Sequence, residues 1–319
     1  MYYKANIPRC YIENTSKEEL VLEHVIEYKR QFKVIYDPLR KLFVCPRNER
    51  GIRKFICTTL RPTKLPYTEL YDWDRCAKFV ADYLEYEEIP EPTKFPSVLP
   101  SPANVLEWQA GDSFDFSIVL CSLLIGVGYD AYVVIGTAPK RITTKDESLM
   151  ECPFPIDLDS NESDDDPYED ADEKLMEVAR ANPLKKVEDF EVKQTMEPKS
   201  KFDAKQKEKA EIEKERQRIL DEVIDDDEPD YEKEDELGRK RKHAWVFMQK
   251  GKRDMGEAFF IEPSTGRKYS VEDSPYFTVE AMFNHKNYYI NMEIERPISE
   301  IEFDVENDNS GQWEYVMIN

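Results

Sequence analysis

The stretch from Trp108 to Val134 constrains the fold more than any other part of the chain, because it holds an apolar helix bracketed by glycines. Gly111 suits a tight turn, Asp112 is a polar cap, and Ser113 to about Ile125 (SFDFSIVLCSLLI) carries a single charge. A break from Gly126 to Gly128 then leads into a strand expected over Tyr129 to Ile135. A helix this apolar has almost no solvent face to offer, so other elements must pack around it. Its first residue, Ser113, is a small nucleophile-type side chain at a helix N-terminus, where backbone dipoles favour negative charge.

With 319 residues and 40% hydrophobic content, the chain can build two domains, or one domain with a large insertion. The formal charge of -22 argues against a nucleic-acid partner, which needs a basic face to neutralise phosphates. That charge is concentrated: Glu151 to Lys242 alone carries 32 acidic and 18 basic residues. Six cysteines (Cys10, Cys45, Cys57, Cys76, Cys121, Cys152) are scattered without a CxxC pair, and the histidines are His24, His243 and His285. That set lacks the short-range pairing of a zinc site, so neither metal nor cofactor is expected. The N-terminal residues lack an apolar signal core, and no window approaches the ~18 apolar residues of a membrane span. The expectation is a reduced, intracellular, soluble protein with no membrane partner.

In chain order, Asn14, Thr15 or Ser16 can cap a helix from about Lys17, with Leu20, Val25, Ile26, Phe32 and Ile35 as its apolar face and Asp37-Pro38 as its end. Lys41 to Cys45 and Lys54 to Thr59 are β-branched and aromatic enough to suggest two short strands. A second helix is expected from Asp72 to about Glu87, with Cys76, Phe79, Val80, Tyr83 and Leu84 on one face. Five prolines between Pro90 and Pro102 then predict an extended connector lying over a surface. Gly136 to Phe154 reads as turns.

Beyond that point the composition changes. Ile156 to Glu173 has ten acidic and no basic residues, too little apolar surface to offset its ordering entropy, and mobility is expected. Lys199 to Val223 alternates Glu with Lys or Arg at helical spacing, but Ile212, Ile219 and Val223 are too sparse for a self-sufficient coiled coil. A solvated helix, or one completed by a partner, fits better. Asp225 to Glu236 is acidic again, and the basic cluster Arg239 to Lys242 is either a nuclear signal or plain solvation.

Strands return with His243 to Gln249 and Ala258 to Glu262, joined as a hairpin through Lys250 to Gly256. Pro263 to Gly266 forms a turn, and Asn287 to Met292, Ile301 to Val305 and Trp313 to Ile318 add strand-like runs. Three residues then stand where an acyl-transfer enzyme needs them: Ser113 as nucleophile, His243 as base, and Glu262 as the acid that orients it. Cys121 is expected to be core packing, Gln109 a weak oxyanion donor, and His285 a sheet-edge or turn residue. Tyr129, Asp130 and Tyr132 are expected to be structural.

The order GDSF, HAWV, FFIEPSTG resembles the transglutaminase-like branch of the papain-like fold. That branch has G-x-C at the head of a core helix, a His-x-Trp strand, and Asp-Pro ending the next strand. The runs KFICTTLRPTKLPYTELYDWDRCAKFVADYL, NHKNYYINM and WEYVM also resemble a subunit family of the nexin-dynein regulatory complex of the ciliary axoneme. The resemblance implies an α+β, papain-like fold. Its expected parts are an N-terminal region over 1–102, a first half-domain over 103–150, an acidic insertion over 151–242, and a second half-domain over 243–319. It also implies a scaffold subunit located in the cytoplasm, cytoskeleton and axoneme of motile cilia, with other subunits of the complex, the doublet microtubule and axonemal dynein as partners. The nucleophile, base and acid positions map onto Ser113, His243 and Glu262, and only the histidine is of the usual type. A thiol with a pKa of about 8.5 can be ionised by a helix N-terminus and an imidazole, whereas an alcohol cannot. The resemblance therefore implies a pseudoenzyme. The alternative is an active hydrolase or amidase using Ser113, His243 and Glu262 on a peptide or tubulin tail.

Overall fold

In the computed structural model the described residues are 8–36, 40–148, 235–305 and 311–317. The chain divides into two units, residues 1–148 with 230–319, and residues 149–229. The expectations for Ile156 to Glu173 and Lys199 to Val223, and most of that for Asp225 to Glu236, lie outside the described residues.

A short helix α1, Arg9–Ile12, precedes α2, Ser16–Ile35. Thr15 caps α2 in a reciprocal box: its hydroxyl accepts from the Glu18 N–H at 3.3 Å, and its own N–H donates to Glu18 Oε2 at 2.9 Å. The apolar face differs from the expected stripe. Val25 and Phe32 are buried, but Leu20 and Ile35 are 67% and 68% exposed and Ile26 is 44% exposed. The helix buries a narrower strip than its composition suggests, with Val21 and Tyr28 completing it.

The two expected short strands do not form. Lys41 to Cys45 is irregular, and Ile56–Thr59 is a turn of helix, α3. Apolar, β-branched residues fit any buried surface, and here Leu42, Phe43, Val44, Phe55, Ile56 and Cys57 are buried without a ladder partner. The Ile56 N–H bonds to the Val44 carbonyl at 3.0 Å, and the Thr58 hydroxyl turns back to Phe55 O at 2.7 Å, which closes the helical turn.

Helix α4, Trp73–Tyr83, stops short of the expected Glu87 because the chain leaves it as a two-residue strand β1, Glu85–Tyr86. The proline-rich connector is not only a surface strap, since Ile89, Leu99 and Ser101 are buried. It ends in a helix that the sequence reading missed, α5, Pro102–Trp108, with proline in the first turn, where its fixed φ and missing N–H are harmless. Gln109 closes α5 in the left-handed region (φ 59°), and Ala110–Gly111 forms β2, parallel to β1. Helix α6 runs Ser113–Gly126 and strand β3 runs Ala131–Thr137, close to the expected bounds. A one-turn helix α7, Lys140–Thr143, follows where only turns were expected.

The second half supplies β4, Lys242–Met248; β5, Phe259–Glu262; β6, Arg267–Ser270; β7, Thr278–Phe283; β8, Tyr288–Asn291; and β9, Trp313–Tyr315. They join β3 in one antiparallel sheet of order β6-β5-β4-β3-β7-β8-β9, so the fold is α+β. The expected strand at Ile301 to Val305 is irregular chain, although Ile301, Phe303 and Val305 are buried. Strand β7 was not expected. In the register, Gly136 stands opposite His243, and the β3–β7 pairing shifts between Ile135 and Gly136. A Cβ at Gly136 would run into the Thr278 carbonyl, so only glycine allows that approach.

One face of the sheet carries α6 and the apolar side chains of α4 and α5. The other is covered by Tyr276, Ile298, Ile301 and Phe303 packed on Trp245, Phe247 and Phe260. Both faces are therefore core, and β3 and β4 are buried along nearly their whole length. Two residues of the basic cluster serve this structure: Arg241 pairs with Asp235 at 2.8 Å, and Lys242 pairs with Glu280. Among the described residues no helix is long and apolar enough to cross a membrane. Nor does any group of acidic, cysteine and histidine side chains there suit a metal ion.

Candidate functional site

The site is built where the N-terminus of α6 meets β4 and β5. Asp112 caps α6 with its carboxylate, accepting from the Phe114 N–H at 2.8 Å and the Asp115 N–H at 3.2 Å, while Asp115 Oδ2 accepts the Asp112 N–H at 3.2 Å. Gly111 makes room for this, since a Cβ there would overlap the Asp115 side chain. Burial raises both carboxyls. Asp112 is pushed up to about 6, against the pull of its two N–H bonds, and Asp115, with the charge of Asp112 beside it, stands well above the usual range. The cap thus holds Ser113 at the first helical position, wholly buried. Its hydroxyl accepts the Ala244 N–H of β4 at 3.4 Å, a long bond that ties the nucleophile position to the backbone beside His243.

His243 is itself fully buried, and its Nε2 lies 2.8 Å from Glu262 Oε2. With Nε2 donating to the carboxylate, Nδ1 is the atom left to act as base. Nδ1 is buried and has no hydrogen-bond partner, so the imidazole and the Ser113 hydroxyl are neighbours through Ala244 but are not bonded to each other. The ring is held near Trp245 and Tyr276, at centroid distances of 6.3 and 6.2 Å, and those two stack on each other at 3.9 Å.

Glu262 gathers further donors: the Tyr276 hydroxyl at 3.0 Å, the Ser264 hydroxyl at 2.7 Å and the Ser264 N–H at 3.3 Å. Burial first, and then the Glu262 charge, raises the Tyr276 phenol far above its ordinary value, so it stays a donor. The structure therefore brings His243 and Glu262 into direct contact, and Ser113 within reach of the β4 backbone. Sequence reasoning missed Tyr276 and Ser264. Ser264 carried a weak signal, a turn hydroxyl two residues after the acid in E-P-S-T-G. Tyr276 carried none.

Gln109 is exposed at the end of α5, and Cys121 is fully buried in α6 with its thiol raised by that burial. His285 sits half-buried in the β7–β8 turn, where burial lowers its pKa. Tyr129 and Tyr132 are buried, and Asp130 pairs with Lys252 at 3.0 Å. A cleft of about 670 Å³, bordered by Arg141, Tyr269, Tyr276 and Arg296, touches this network only through Tyr276 and does not reach Ser113 or His243.

Residues 236–315 match the family model of a CEP76 peptidase-like domain, a span that contains His243 and Glu262. The chain is 37% identical over 308 residues to dynein regulatory complex subunit 7 of Xenopus tropicalis, covering 96% of this chain and 34% of that protein. It is 36% identical over 318 residues to the protein of the same name in Homo sapiens, covering 98% of this chain and 34% of that protein. Against the Chlamydomonas reinhardtii protein of that name the figures are 35% over 271 residues, with 84% and 17% covered. The chain thus spans about a third or less of the curated relatives it matches.

Proposed function

We propose that the chain is part of a subunit 7-type protein of the dynein regulatory complex and acts there as a scaffold in the axoneme of motile cilia, contributing to the regulation of motility. The supporting observation is its identity of 35–37% with proteins of that name over nearly its whole length. Its partners in this reading are other subunits of the nexin-dynein regulatory complex, the doublet microtubule and axonemal dynein. In this reading the α+β fold is a transglutaminase-like, papain-like domain whose sequence falls into two halves, 103–150 and 243–319, with 1–102 as an N-terminal region belonging to its core and 151–242 as an insertion in the sequence between them.

The same reading makes Ser113, His243 and Glu262 a degenerate triad. An alcohol at the nucleophile position needs concerted proton removal and an open approach for the acyl group. Here the Ser113 hydroxyl is inaccessible and accepts from the Ala244 N–H, while His243 Nδ1 has no hydrogen-bond partner. One observation favours the opposite reading, an active hydrolase or amidase: the His243–Glu262 contact of 2.8 Å is the orientation a general base requires. A serine-reactive phosphonate separates the two. The scaffold reading expects no adduct on Ser113 after prolonged exposure. An adduct on Ser113 that His243→Ala abolishes overturns it.

A further inference from the structure

A part of the chain that no motif marks, the segment from Leu84 to Phe95, runs beside the entry to α6. The Glu85 N–H donates to the Gln109 carbonyl at 2.7 Å and the Glu87 N–H to the Gly111 carbonyl at 2.8 Å. Strand β1 therefore lies along the two residues that lead into Asp112 and Ser113. Between those bonds Tyr86 turns inward while Glu85 and Glu87 face solvent, the alternation of an extended strand. The Tyr86 ring meets Phe116 edge to face at 5.7 Å, and its hydroxyl donates to the Thr143 carbonyl at 2.8 Å. Burial first, and then the Glu262 charge, raises its phenol far above the ordinary value, with the Ser113 hydroxyl a smaller opposing influence.

The segment then crosses to the other wall of the site. Ile89 is buried on the way. The Lys242 N–H, one residue before His243, donates to the Pro92 carbonyl at 2.7 Å. Phe95 stacks on Phe43 at 5.1 Å and meets Phe114 edge to face at 6.3 Å, with Lys242 Nζ 5.1 Å above its ring. Backbone bonds beside the nucleophile position through β1, alternate side chains in and out there, and then a turn closed by the Lys94 N–H to the Glu91 carbonyl at 2.9 Å, which sets Pro92 on the backbone beside the histidine, describe a strand-like peptide and a hooked end laid across a cleft.

We propose that Leu84 to Phe95 is an intramolecular occupant of the cleft between Ser113 and His243, with its β1 part holding the place of an extended peptide and Tyr86 as the side chain that seals Ser113. This rests on the degenerate-site reading above and adds what fills the site. Any foreign peptide must first displace the segment, so contacts with neighbouring proteins use other surfaces.

The test installs a reporter thiol by Ser113→Cys and follows its alkylation by iodoacetamide, read by peptide mass, in the whole chain. Three backgrounds are compared: Tyr86 retained, Tyr86→Phe and Tyr86→Ala. Buried Cys121 serves as the control for an intact fold. Removing the whole Tyr86 side chain is expected to raise the rate at position 113 by about tenfold or more while Cys121 stays protected. Equal rates with and without Tyr86, or labelling with Tyr86 in place as fast as in the urea-unfolded chain, overturn the proposal. Should Tyr86→Ala also expose Cys121, Tyr86→Phe decides: losing only the bond to Thr143 is expected to raise the rate about threefold, and no change overturns the proposal. The measurement reads shielding and not catalysis, so the phosphonate experiment can fail independently of it.

Discussion

Four donors converge on one carboxylate at the centre of the site: His243 Nε2, the Tyr276 hydroxyl, and the hydroxyl and N–H of Ser264. An acid that only orients an imidazole does not need the other three. They make Glu262 the hub of a buried polar network, where every donor would lose its partner at once if the carboxylate were removed. Glu262→Ala is therefore expected to destabilise the fold by ~3–5 kcal/mol, because several buried groups are left unsatisfied. Glu262→Gln, which keeps an acceptor but turns an amide toward some of the donors, should cost roughly half as much. Urea unfolding of the two variants checks the order; equal midpoints for Glu262→Ala and the parent chain would show that the network carries no stability. Ser113 points the same way. Its oxygen serves as an acceptor for β4 at the head of a buried helix, a role that a hydroxyl fills and a nucleophile does not need.

At the scale of elements, α6 is gripped on all sides because its sequence leaves it no polar face. Segment Arg61 to Thr63 lies across it, with the Ser122 hydroxyl donating to Arg61 O and the Thr63 N–H bonding to Ser122 O at 3.0 Å. Gly126 lets the Thr63 backbone approach, as Gly136 does for Thr278 in the sheet. Gly136→Ala must push β7 away from β3 next to His243, and should lower stability by roughly 1–3 kcal/mol, seen as an earlier thermal transition. An unchanged transition would mean that the β3–β7 bulge is looser than its geometry. These central elements were legible in the sequence because local signals agreed with tertiary burial: a capped apolar run for α6, and aromatic and β-branched runs for β4 and β5. Lys41 to Cys45 and Lys54 to Thr59 were misread because their apolar residues meet the core without a strand partner. Helix α5 was hidden by Pro102, which signals a break as readily as a first helical turn. The cover over Ser113 could not be read at all. Tyr86 reaches it through a parallel pairing of two residues with two residues, which leaves no periodicity in either stretch.

For the whole molecule, the contrast lies between ancestry and use. The residues matching a peptidase-like domain include the histidine and the acid, and the fold brings these two together. The serine that completes the set is buried, and the cover proposed for it is the chain's own β1 segment. In the proposed reading, a chain organised this way meets its neighbours through surfaces outside the sheet core and not through a reactive cleft. If that is its use, the hydroxyl of Ser113 matters for packing and not for chemistry. The most direct measurement is Ser113→Ala in the full-length protein of ciliated cells, scoring incorporation into the axoneme and beat frequency together. The account predicts normal incorporation and normal beating. Normal incorporation with motility lost would contradict it, because the missing oxygen atom would then be needed for a reaction and not for assembly.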